Sequence, residues 1–167
     1  LARACRPWAM NGAEPAAEAE RVRGLYGGLI SAPARDVAIV SSTSYGVAVM
    51  AKNLPVSAGQ EIVVITDQFP SNIFSWRHLA EETGAILKVV PWPEDGNWTP
   101  NVLDAIGPNT AIATLPPCHW ADGTRLDLAA IGERCRKIGA AFCIDATQTA
   151  GAMPMDMDEI QPDFMVA

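Results

Sequence analysis

The sequence predicts an α/β fold, a mainly parallel sheet with helices on both faces. Three observations carry this. Short apolar, β-rich runs alternate with stretches of helical length, the pattern of right-handed βαβ crossovers. Residues 61–67, "EIVVITD", form a continuous β-branched run of the kind buried on both faces of a parallel sheet. In "LDLAAIGERCRKIG", Leu128, Ile131, Cys135 and Ile138 recur at the spacing of one helix face, and Gly139 ends the pattern.

The elements follow in order. Residues 14–30 read as a helix broken near Gly27 and Gly28. "DVAIVSS", residues 36–42, is apolar and β-rich and reads as a strand, with a helix over 44–54 after it. After the 61–67 strand, "SNIFSWRHLAEETG" is a helix with Ser71 as N-cap and Gly84 as its stop. "AILKVVP" is the next strand, and "PWPEDGNW" is a turn-rich connector with an Asp-Gly pair. A short helix near 101–106, the strand "TAIATLPP", the 126–139 helix and the strand "AAFCIDA" complete the alternation.

Composition narrows the classes. A chain of 167 residues suffices for one domain with a sizeable core, and 49% hydrophobic with 19% charged residues is ordinary for a globular protein. The net charge of −7 argues against nucleic acid or an anionic membrane as partner. No apolar run approaches the roughly 18 residues of a membrane span, and the basic start "LARACR" leads into no apolar signal segment. Cys5, Cys118, Cys135 and Cys143 lack CxxC spacing, which suggests reduced thiols and a cytoplasmic setting. The chain begins at Leu1 and stops in the apolar "PDFMVA", so it is expected to be a piece of a longer protein. GxxxxGK[ST], GxGxxG and GxSxG are absent, and two histidines, His78 and His119, without clustered cysteines leave metal catalysis unsupported.

Ligands of open α/β sheets gather at the carboxyl ends of strands, which shortlists residues 42–44, 67–69, 117–120 and 145–148. "SSTSYG" offers hydroxyls at a helix start, either as an ordinary N-cap or as a cradle for a phosphate. Asp145 ends an apolar strand, either as a turn cap or as the partner of a protonated heteroaromatic nitrogen. Phe69 is core filler or a ring that stacks on a ligand, and Gln148 is a surface amide or a ligand contact.

As a set, "SSTSYGVAV", "EIVVITDQFPSNIFSW", "CHWADGTRLDLAAIGERCRKIGAAFCIDATQTAGAMPMDM" and "PDFMVA" resemble the large domain of fold-type-I pyridoxal 5'-phosphate enzymes, in the class V aminotransferase and cysteine desulfurase group. The resemblance implies that Asp145 pairs with the pyridine nitrogen of the cofactor. Gln148 then hydrogen-bonds the phenolic oxygen, Phe69 takes the place of the stacking residue, and Thr43 and Ser44 fall on the phosphate loop. Residues 1–36 become an N-terminal helical segment of the same domain, and 37–167 a cofactor-binding large domain that ends before the Schiff-base lysine. That lysine is expected beyond Ala167, so no catalytic residue is assigned and the chain alone is expected to be inactive.

Two departures matter. Desulfurases usually place His where Phe69 stands, and a phenyl ring stacks but cannot move a proton. They also show Asn where Trp120 stands in "CHWADG". Both point towards aminotransferase, lyase or epimerase relatives. The resemblance further implies a small amino-acid substrate and a homodimer. A non-catalytic α/β binding or assembly module is the alternative.

Overall fold

The computed structural model describes Trp8 and residues 11–167; Cys5 and the basic start lie outside the described residues. Five strands form one sheet: β1 (Glu61–Ile65), β2 (Ile86–Val90), β3 (Thr110–Leu115), β4 (Ala141–Asp145) and β5 (Phe164–Val166). Their order is β2-β1-β3-β4-β5 and every pairing is parallel.

The β-branched run of β1 is explained by what lies on each side of it. Ile62 and Val64 pack with Val47 and Met50 of α2 (Thr43–Asn53) and with Trp76 and Ala80 of α3 (Pro70–Thr83). Val63 and Ile65 face the opposite core, built with Val102 of α4 (Trp98–Ala105), Ile131 and Cys135 of α5 (Leu128–Ile138) and Ile160 of α6 (Met157–Ile160). Side chains that alternate across the sheet meet an apolar layer on both faces, so every position of the strand after Glu61 is apolar.

Helix ends follow local chemistry. The Asp127 carboxylate accepts from the Ala130 N–H at 3.0 Å to open α5, and Gly139 at φ 75° closes it. Three boundaries depart from the sequence reading. Phe69, not Ser71, is the N-cap of α3, because Pro70 supplies a first helical residue that needs no N–H partner. The helix expected near 101–106 starts earlier, at Trp98, where the Asn97 side chain accepts from the Thr99 N–H. Helix α1 (Glu14–Ile30) is continuous through Gly27 and Gly28. Gly27 serves the reversal that follows: Ala32 N–H donates to its carbonyl at 2.9 Å, and a Cβ there would run into the Ala32 carbonyl oxygen.

Residues 37–41 are not a strand of the sheet. A 3₁₀ turn, Ala34–Asp36, leads into chain that pairs with no described strand, and Ile39 is left 59% exposed. Arg23 of α1 instead draws this segment back, donating to the Ala34 and Val37 carbonyls. β-Propensity reports a fit to a pleated neighbour, and the run cannot act on it where none is supplied.

Gly132 gives a stability prediction. A Cβ there would collide with the Ile160 carbonyl oxygen, where α5 crosses α6. Gly132→Ala is expected to cost about 1–3 kcal/mol through overpacking, read as a lower urea midpoint at unchanged m.

Candidate functional site

The order of the strands reverses between β1 and β3: the chain leaves β1 for β2 on one side and returns to β3 on the other. A crevice opens outside the carboxyl ends at such a point. Here it is a cleft of about 310 Å3, its open mouth included, contributed by three strand ends. Gln68 and Phe69 follow β1, Pro116, Cys118 and Trp120 follow β3, and Asp145, Thr147 and Gln148 lie at and after the end of β4.

Asp145 is 7% exposed and lines this cleft. Its Oδ1 accepts twice from Thr147, at 3.1 Å from the N–H and 2.6 Å from the hydroxyl. Among the described residues no lysine, arginine or histidine forms an ion pair with it. A carboxylate in this state has its orientation fixed through one oxygen and keeps the other for a donor in the cleft.

Thr147 also joins the acid to α2. Its Oγ1 lies 3.1 Å from Thr43 Oγ1, and since its only hydroxyl proton goes to Asp145, Thr43 is the donor. Ser42 caps α2, its Oγ accepting from the Tyr45 N–H at 3.2 Å. The cap reading therefore holds for Ser42. The first-turn N–H groups of Thr43 and Ser44 have no partner within the helix, and the positive end of the helix dipole adds to their pull on an anion.

Of the five residues expected from the sequence, Phe69, Asp145 and Gln148 line the cleft, and Thr43 touches it through Thr147. Ser44 stands beside Thr43 in the first turn of α2 without lining the cleft. Phe69 is 41% exposed and meets Trp120 edge to face, ring centres 5.6 Å apart. Thr147 was given no role in the sequence reading, although an Asp with a Thr two residues on is a common side-chain-to-backbone turn. Gln68 is shortlisted at the end of β1 without a role of its own; it is buried, and its amide approaches the Thr114 carbonyl at 3.4 Å.

Cys118 faces the cleft as a thiol. Burial pushes its pKa up, the Asp122 carboxylate pushes it further, and Arg125 opposes both. Cys135 and Cys143 are buried and free, with Cys135 pushed up to about 12 by burial. The nucleophile is the thiolate, so a raised pKa slows reaction at neutral pH. Iodoacetamide is expected to modify Cys118 more slowly than a small free thiol at pH 8 and faster as the pH climbs beyond 9, with Cys135 and Cys143 silent in the folded chain; peptide mapping reads all three.

Among the described residues, no three His, Cys, Asp or Glu side chains cluster as a metal site, and no helix is long and apolar enough to cross a membrane.

Similarity to known proteins agrees with this architecture. In solved structures the chain superposes on C-DES with glycine covalently linked to its PLP cofactor, with TM-score 0.83, 19% identity and coverage of 96% of this chain and 44% of that one. It also superposes on the apo cysteine desulfurase of Thermococcus onnurineus NA1, with TM-score 0.79, 23% identity and 88% and 37% coverage. These likenesses show the fold. In sequence, a probable cysteine desulfurase of Streptomyces coelicolor is 32% identical over 163 residues, covering 88% of this chain and 39% of that protein. An uncharacterized aminotransferase of Bacillus subtilis, YcbU, is 30% identical over 159 residues, covering 94% and 42%. The chain thus spans about two fifths of the length of these relatives. The profile of the family described as aminotransferase class-V matches residues 4–167, and the chain belongs to that family.

Proposed function

We propose that this chain is the cofactor-binding portion of the large domain of a pyridoxal 5'-phosphate-dependent enzyme acting on a small amino acid. The observation that carries the reading is Asp145, a nearly buried carboxylate with no cation paired to it among the described residues, lining the cleft at the carboxyl ends of the strands.

The donor set fits the cofactor. Asp145 suits a protonated pyridine nitrogen, whose permanent charge would offset the desolvation of the acid. The unpaired N–H groups of Thr43 and Ser44 at the start of α2, with the Ser44 hydroxyl, suit a phosphate. Phe69 presents a ring face to a flat heterocycle, and the Gln148 amide can donate to a phenolic oxygen. When bound, the cofactor supplies the electron sink for chemistry at the substrate's α-carbon. This chain's residues bind, orient and hold charge: Asp145 keeps a ring proton in place, Thr147 fixes the carboxylate, and the protein wall at Phe69 excludes water without exchanging protons.

The lysines present do not line the cleft. Lys88 pairs with Glu61 at 3.0 Å, Lys137 with Glu133 at 2.7 Å, and Lys52 is exposed on α2. The Schiff-base lysine is therefore expected from chain beyond Ala167, and binding without turnover from the chain alone. A phenyl ring in place of an imidazole favours transamination, lyase or epimerase chemistry over desulfuration, and a homodimer in the cytoplasm is the expected form of the whole protein.

Titration of the chain with pyridoxal 5'-phosphate, followed by visible absorbance and tryptophan quenching, tests the proposal. Saturable binding at one site supports it. A linear, unsaturable response sinks it and leaves the chain a binding or assembly module.

A further inference from the structure

Behind Phe69 stands a second group of rings that the family reading leaves without a role. Its centre is His119, fully buried, stacked on Trp98 at 5.3 Å with 10° between planes and tilted against Trp92 at 4.4 Å. His119 Nδ1 accepts from the Ala121 N–H at 3.2 Å, and Nε2 lies 3.2 Å from the Thr66 carbonyl oxygen. An N–H can only donate and a carbonyl can only accept, so the tautomer with its proton on Nε2 satisfies both. Asp122 Oδ1 lies 3.8 Å from Nδ1, on the side where that tautomer carries its lone pair. The ring pins the loop after β3 to the end of β1.

Asp67 completes the clamp. It sits at φ +50°, a left-handed backbone that few residues other than glycine adopt, although Asp tolerates it. Its carbonyl oxygen accepts from Trp120 Nε1 at 2.7 Å and its carboxylate Oδ2 from Trp92 Nε1 at 2.7 Å. One strained residue thus holds two indoles. Trp120 emerges half exposed beside the cleft, its plane at 85° to that of Phe69.

We propose that Trp120 is a further binding residue of the cleft, a second aromatic wall at right angles to Phe69, and that Asp67 and His119 are positioning residues that hold it there. The ligand is the flat, phosphorylated heterocycle of the proposed function, and the assignment rests on that reading for its ligand alone. Two perpendicular aromatic planes make a corner that fixes a planar group in two directions, where Phe69 by itself leaves it free to slide in its own plane.

The test has two arms on the same variants. In the cofactor-free chain, site-resolved iodoacetamide labelling of Cys118 reports the wall, while Cys135 and Cys143 in the core report whether the chain is folded. Trp120→Phe, which keeps a ring and deletes the bond to Asp67, and Trp120→Ala are expected to raise the Cys118 rate, with the two core thiols still silent. His119→Leu is expected to do the same, and His119→Gln, which keeps a donor towards Thr66, to restore the wild-type rate. If His119→Leu does not fold, the Trp120 pair decides, because that side chain is half exposed. In the second arm, Trp120→Ala is expected to weaken pyridoxal 5'-phosphate binding roughly three- to tenfold. Wild-type Cys118 rates in both Trp120 variants would overturn the positioning, and unchanged affinity in Trp120→Ala would overturn the binding role. If the wild-type chain fails to bind the cofactor, the proposed function and the ligand contact fall together, and the labelling still decides how the wall is held.

Discussion

Asp145→Ala is expected to weaken pyridoxal 5'-phosphate binding roughly ten- to hundredfold, the loss of one hydrogen bond to a charged group, about 1.5–3 kcal/mol. Asp145→Asn should do nearly as much. It keeps an oxygen for the Thr147 N–H and hydroxyl, which hold the acid at 3.1 and 2.6 Å, but it removes the charge that stabilises a protonated ring nitrogen. The pair of variants thus separates charge from shape. If both bind like the wild type, the acid is a cap on the end of β4 and nothing more. The bound ligand's absorption band adds a second readout, since loss of the ring proton changes the spectrum even where affinity survives.

Trp98→Ala is expected to cost about 3–5 kcal/mol, the range for deleting a fully buried large aromatic side chain. Trp98 is 0% exposed and belongs to the α4–α5 core while stacking on His119. Its indole N–H, however, has no partner. Trp98→Phe removes that orphan donor, whose burial costs about 1–3 kcal/mol, and so offsets much of the lost packing. Urea denaturation should therefore place Trp98→Phe much closer to wild type than Trp98→Ala. Equal losses would mean that ring volume alone matters at this position.

The sheet and its helices were legible where burial imposes a period. β1 shows as a β-branched run because both its faces are covered, and α5 shows as a stripe because only one of its faces is. Residues 36–42 carry the same β-rich composition and form no described strand, since pairing depends on a neighbour that a local pattern does not encode. Ser71 was a sound cap by residue type, but Pro70 one residue earlier is a stronger constraint on where α3 begins. In the site, Asp145 and Phe69 were visible as strand-end residues of unusual type. Thr147 and Trp120 fall within the shortlisted strand ends, but their partners do not show in the sequence, because the contacts lie far along the chain: Thr147 with Thr43, and Trp120 with the carbonyl of Asp67. Such partners become apparent only when three strand ends are brought to one edge of the sheet.

The hydroxyl ladder from Thr43 to Thr147 to Asp145 is one-way. Each proton is spent towards the acid, so Thr43 has lone pairs and no hydroxyl hydrogen left for anything approaching from the start of α2. While the ladder stands, Thr43 meets an anion there with its backbone N–H and not its hydroxyl, and its side chain works for the far end of the cleft. Replacing it with Ser preserves that division of labour. Replacing it with Val leaves the anion's backbone donors in place and cuts the strut beneath the acid, so the damage from a change at the mouth of one helix surfaces at the end of a strand 102 residues away, at 145 against 43.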